Sequence, residues 1–191
     1  MAPRSKAQNE AQKEQTRQKL VMTALKAFAE KGFSSASMSY IAKEAGVSKG
    51  LSYHYFASKE ELLEAIFDFL GEVGHSIEDQ WEGKSAKERL RLTVEMTFEY
   101  IQQNQDLVRF MTSLVTQPEV LSLAKDFIAK EKMSSIGNYI DLFKELGYED
   151  PEAEAYFFGA SLDGVSLGHL GLSGNYPIDK LKKRILDQYQ L

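Results

Sequence analysis

Apolar residues recur along this chain at every third or fourth position and nowhere alternate over a stretch long enough for a strand. From about Thr16, the residues Leu20, Val21, Ala24, Leu25 and Phe28 form one helical stripe, and Gly32 stands where a left-handed cap would end it. The polar dozen or so residues at the amino terminus carry no stripe and are expected to form a loose arm. Ser37 is placed to cap a two-turn helix that buries Met38, Ile41, Ala42 and Ala45 and stops at Gly46. Ser48 can cap a third helix ending near Phe56, and Ser58 with Glu61 has the spacing of a capping box for a fourth.

The elements then lengthen. The fourth helix carries Leu62, Leu63, Ile66, Phe67, Phe69, Leu70 and Val73 and runs toward Trp81, weakened midway by Gly71 and Gly74. A fifth spans about Ser85 to Gln103, a sixth has Leu107, Val108, Phe110, Met111 and Leu114, and Pro118 opens a long seventh that ends before Gly147. An eighth follows Pro151, and a ninth, amphipathic, follows Pro177 with Ile178, Leu181, Ile185 and Tyr189 on one stripe. The pattern predicts an all-α chain of nine helices, divided into a small domain over residues 1–57 and a larger one over 58–191.

Composition narrows the classes open to such a fold. With 191 residues and 43% hydrophobic content the chain can bury a sizeable core and is not disordered. It has no cysteine, which excludes disulfides, thiolate metal sites and a cysteine nucleophile. No signal-like apolar region and no run of about eighteen apolar residues is present, so a soluble, cytoplasmic protein without a membrane partner is expected. Charge is more informative, because the net −5 is unevenly spread. Residues 1–60 hold ten basic and five acidic side chains, a net +5, whereas the remainder holds thirteen and twenty-three, a net −10. A basic end on an acidic body suits a protein that offers one end to a polyanion.

The basic end also carries the most specific motif. Two short helices joined by a four-residue turn are the elements of a helix-turn-helix, and the run Ile41-Ala42-x-x-Ala45-Gly46-Val47-Ser48 has a reason at each place. Ala42 allows a close helix crossing, Gly46 supplies positive φ, Val47 plugs the corner and Ser48 caps the next helix. Periodicity alone supports an ordinary helical hairpin nearly as well. The next stretch decides between them, since Lys49, Tyr53, His54, Tyr55 and Lys59 concentrate hydrogen-bond donors on and beside one short helix.

The stretch MSYIAKEAGVSKGLSYHYFASKEELLEAIF resembles the DNA-binding signature of the tetracycline-repressor (TetR) family of bacterial regulators. That resemblance implies a three-helix DNA-binding domain, a connecting fourth helix, and a larger helical domain for ligand binding and dimerisation. It implies that Lys49, Gly50, Leu51 and Tyr53 face base edges and nearby backbone, that His54 and Tyr55 reach phosphate or bases, and that Lys59 binds phosphate. Ser37 and Ser48 match caps that also touch phosphates, and Ser39 matches a position that often reaches a base. One departure stands out: relatives place a small hydroxylated residue before a leucine, whereas here Leu51 precedes Ser52. Leu51 is thereby expected on the reading surface, where a thymine methyl is its natural target, and Ser52 in an inward slot.

In the larger domain Met96, Phe98, Phe110, Met111, Tyr139, Phe143 and Phe157 are first of all core residues. The wide apolar surfaces of helices five to eight also permit a pocket for a small apolar or amphipathic effector lined by the same side chains. Gly164 and Gly168, four apart on the eighth helix, allow close packing, and the family's dimer interface of eighth and ninth helices would add Leu181 and Ile185. Gly164-Val-Ser166-Leu-Gly168 spells a nucleophile elbow by letters only, since its flanks are helical and no oxyanion loop accompanies it. The three histidines share no ligand spacing, so no metal, cofactor or catalytic residue is assigned. The expected function is that of a ligand-responsive, homodimeric transcriptional repressor on a palindromic DNA operator. The alternatives are a helical ligand-binding protein or enzyme without a DNA role, and a family member without an effector.

Overall fold

The computed structural model describes residues 6–191. Side chains at positions 73, 74, 114–116, 119 and 173 lie outside that description, and with them the expected apolar roles of Val73 and Leu114. Among the described residues every regular element is helical. In chain order these are α1 (Lys6–Lys31), α2 (Met38–Glu44), α3 (Lys49–Tyr55), α4 (Lys59–Glu78), α5 (Ala86–Gln103), α6 (Gln105–Thr116), α7 (Pro118–Glu145), α8 (Pro151–Leu172) and α9 (Ile178–Gln188). None of them is long and apolar enough to cross a membrane. The chain forms two compact units, the first ending at Leu70 and the second running Gly71–Leu191, so the division falls within α4.

The first unit is built on α1. Leu20, Leu25 and Phe28 are fully buried, and Gly32 ends the helix at φ +80° while donating its N–H to the Phe28 carbonyl at 3.0 Å. Residues 6–15, expected as part of a loose arm, instead extend α1 by almost three turns, all of them exposed. The physical reason is propensity. The segment KAQNEAQKEQ consists mostly of good helix formers, and the packed part of α1 supplies the nucleus from which helix propagates without burying anything. Ile41, Leu62, Leu63 and Ile66 close the core, with Phe28 and Phe33 packed edge to face at 5.0 Å.

The start of α4 differs from expectation by one residue. Ser58 accepts the Glu61 N–H at 3.2 Å, but the Glu61 carboxylate takes the N–H of Ala57 at 2.6 Å rather than that of Ser58. A full capping box forms at Ser85, whose hydroxyl accepts from the Glu88 N–H while the Glu88 carboxylate accepts the Ser85 N–H at 2.8 Å. These bonds from the Ser85 side chain and backbone hold the Glu88 carboxyl below its ordinary range.

The second unit closes around Phe158 on α8. Its ring meets Tyr139 at 5.0 Å, Tyr189 at 5.5 Å and Phe143 at 5.9 Å, drawing α7, α8 and the end of α9 onto one aromatic centre. Leu90, Val94 and Phe98 from α5 complete this core. Tyr189 donates to the Glu154 carboxylate at 2.8 Å; burial and then that carboxylate push its phenol well above the usual value. Burial likewise pushes Tyr139 up to about 12. The last turn of α4 joins this unit through the Asn138 amide, which donates to the Glu78 carboxylate.

Candidate nucleic-acid interface

The turn between α2 and α3 is fixed by backbone and serine hydroxyls. Ser37 Oγ accepts the Tyr40 N–H at 3.2 Å, and Ser48 Oγ accepts the Leu51 N–H at 3.1 Å. Between these caps Gly46 takes φ +65°, which a β-carbon would resist, and the Val47 N–H returns to the Ala42 carbonyl at 3.0 Å. Phe56 follows α3 and is buried, with the Arg17 guanidinium over its ring at 5.5 Å. The short helix is thus held at both ends, and only its outward side is free to touch another molecule.

That outward side carries the residues expected to read DNA. Lys49, Gly50, Leu51, Tyr53 and His54 are exposed and Tyr55 is half-buried. The Lys49 ammonium stands over the Tyr53 ring at 5.9 Å, and His54 meets Tyr55 edge-on at 5.7 Å. Gly50 sits on this face with nothing within 4 Å of where a methyl group would project. No neighbour in the chain calls for a glycine there, although glycine costs a helix about 1 kcal/mol. Ser37, Ser39 and Ser48 are exposed on the same motif.

Beside α3 lies an open recess of about 370 Å³, lined among others by Ser34, Ser37, Tyr53, Ser58 and Lys59. Four hydroxyls and the Lys59 ammonium line it together with the Glu60 carboxylate, and the hydroxyls and the ammonium are donors of the kind that phosphate oxygens accept from. Ser34 was not legible as a participant, because it enters through the fold of the α1–α2 turn and belongs to no local motif. Lys59 has a second job there. Its Nζ donates to the carbonyls of Phe33 at 2.9 Å and Ser34 at 3.3 Å and lies 4.4 Å from the centre of the Phe33 ring. It therefore ties the start of α4 to the α1–α2 turn and keeps one N–H for an anion. Lys59→Met keeps the stem over Phe33 but removes the charge. It is expected to lower stability by about 1–2 kcal/mol in urea denaturation and to reduce the salt slope of DNA binding by about one. An unchanged denaturation midpoint would rule out the tie.

The second unit does not gather the seven expected ligand-lining residues around one cavity. Phe98, Phe110 and Phe143 are fully buried, Met96 and Tyr139 are half-buried, and Met111 and Phe157 face outward. Helical spacing identified the apolar faces, but facing side chains close up against each other unless something holds them apart. Phe157 in particular lies off the inward stripe of α8, which is Ala155, Phe158, Leu162 and Val165.

The four residues expected at a dimer interface also separate. Gly164 is exposed with open space over it, whereas Gly168 lies beneath the ring of Tyr176 of its own chain. Ile185 belongs to the core, and Leu181 packs against that core half-buried. The opposite edge of α8 is different. Ala153, Phe157, Ala160, Gly164, Leu167 and Gly171 are all exposed and recur at alternating spacings of four and three, the spacing at which one helix can pair with another. Phe157 is 56% exposed and Leu167 58%.

A capped helix-turn-helix with a polar, aromatic and cationic outer face, followed by a larger helical unit, defines a DNA-binding transcriptional regulator. The family model for bacterial regulatory proteins of the tetR family matches residues 20–66. The regulator BetI of Escherichia coli O17:K52:H18 is 30% identical over 173 residues, 86% of each chain. The transcriptional activator FasR of Mycolicibacterium smegmatis is 28% identical over 180 residues, 90% of this chain and 79% of that one. The fold matches that of the transcriptional regulator FadR from Bacillus subtilis, solved in complex with stearoyl-CoA, with a TM-score of 0.73, 22% identity and coverage of 90% and 96%. The chain belongs to the TetR family.

Proposed function

We propose that the protein acts as a homodimeric, effector-responsive repressor in which two copies of α3 enter successive major grooves of a palindromic operator, about 34 Å apart. The observation that carries this reading is the outer face of α3, where Lys49, Gly50, Leu51, Tyr53 and His54 are exposed together on a helix fixed at both ends. The exposed seam of α8 supports self-association, because two copies of Phe157, Ala160, Gly164 and Leu167 can pair across a twofold axis.

Two features support an amphipathic effector in the second unit. Met111, Leu121, Leu123 and Met133 on α6 and α7 are exposed apolar side chains that the core does not use. In addition, His169 buries both ring nitrogens without a hydrogen-bond partner among the described residues, a cost that a polar ligand group could offset. FadR of Bacillus subtilis binds stearoyl-CoA, which makes that compound the first to try. Effector binding would loosen the grip on DNA, and by linkage DNA would weaken effector binding by the same factor.

The test is fluorescence anisotropy with promoter duplexes at 50 and 200 mM salt, with and without stearoyl-CoA. Specific affinity should fall by about 10³-fold between the two salt concentrations if six phosphates are neutralised, and fall again with effector. Salt-insensitive or sequence-indifferent binding would overturn the operator reading, and unchanged affinity across acyl-CoAs would remove that class of effector.

A further inference from the structure

At residues 51 and 52 the chain inverts the usual placing of apolar and polar side chains. Leu51 is 39% exposed in the first turn of α3, while Ser52 beside it is fully buried. The Ser52 hydroxyl is satisfied inside the helix, donating to the Lys49 carbonyl at 2.8 Å, so it makes no demand on an outside partner. The order therefore puts an apolar side chain on the outward face of α3 and a self-satisfied hydroxyl beneath it.

From this inversion we infer that Leu51 reads the 5-methyl group of a thymine in each operator half-site. The inference rests on the DNA-reading role of α3. Leu51 cannot donate or accept a hydrogen bond, and the thymine methyl is the apolar feature that a base pair presents in the major groove. Its flanks favour that contact. Gly50 leaves the adjacent surface open to 4 Å, so backbone or base can approach closely, and the Lys49 ammonium is drawn aside over the Tyr53 ring. The first turn of a recognition helix is also the part that reaches base edges. The neighbouring polar side chains Lys49, Tyr53 and His54 then read by hydrogen bond, and Leu51 by shape.

The test uses the full-length protein and a duplex selected by it from a randomised pool. In that duplex each thymine is replaced in turn by deoxyuridine, which removes only the methyl group. At one position in each half-site the replacement should weaken wild-type binding about fourfold, the loss of one buried methyl. Leu51→Ala should bind the thymine and deoxyuridine forms equally at that position, and Leu51→Met should again distinguish them. If thymine methyls matter equally in the wild type and in Leu51→Ala, or matter nowhere, the inference is wrong while DNA reading by α3 stands. If the pool yields no enriched duplex, DNA reading itself fails and the inference with it.

Discussion

Phe158→Ala is expected to remove about 3–5 kcal/mol of folding stability from the second unit. The ring is 0% exposed and is the common neighbour of Tyr139, Phe143 and Tyr189, so its removal leaves a cavity that three elements would have to collapse into. Against a total stability of about 5–15 kcal/mol for a domain, such a loss would leave a substantial unfolded fraction on mild heating. Urea denaturation followed by the fluorescence of Trp81 reports on this unit directly, since the chain has one tryptophan and it packs against the same core. A shift below about 1 kcal/mol would show that the aromatic centre is not what holds the unit together. The adjacent Phe157→Ala should change the stability of the chain by no more than about 0.5 kcal/mol, as expected for an exposed side chain.

Leu167→Glu is expected to leave the fold intact and separate the proposed dimer. The residue is 58% exposed on the seam of α8, so a carboxylate is harmless in the single chain. Across a twofold axis it would meet its own copy or be stripped of water without a counter-charge, which costs several kcal/mol. Light scattering should report a monomer, with an unchanged circular dichroism spectrum. Operator affinity should drop by about 100-fold or more, because two half-sites would no longer be held at the effective concentration that linkage provides. A variant that stays dimeric would move the interface away from this edge of α8.

The parts of the fold that sequence made legible are those governed by local chemistry. Ser37, Ser48 and Ser85 each start a helix, Pro118 opens α7, and Gly32 and Gly46 adopt the positive φ that their positions required. The helix α3 belongs to this class, because its serine cap and the surface position of Leu51 follow from neighbouring residues. What escaped depended on distant partners. Lys59 reaches carbonyls 25 and 26 residues away, and no local pattern marks that contact. The aromatic residues of the second unit could be assigned to apolar faces, yet whether those faces enclose space depends on how side chains from α5, α7, α8 and α9 interdigitate. The first turns of α1 escaped for the opposite reason. Nothing packs on them, so they leave no hydrophobic period to detect, and only their propensity indicates a helix.

Gly168 illustrates how such a distant partner can constrain what a backbone position accepts. A methyl group on it would overlap the ring of Tyr176, which lies over the bare backbone eight residues before it. An alanine at 168 could therefore be accommodated only by swinging the Tyr176 ring aside, whereas a smaller residue at 176 would leave room for it.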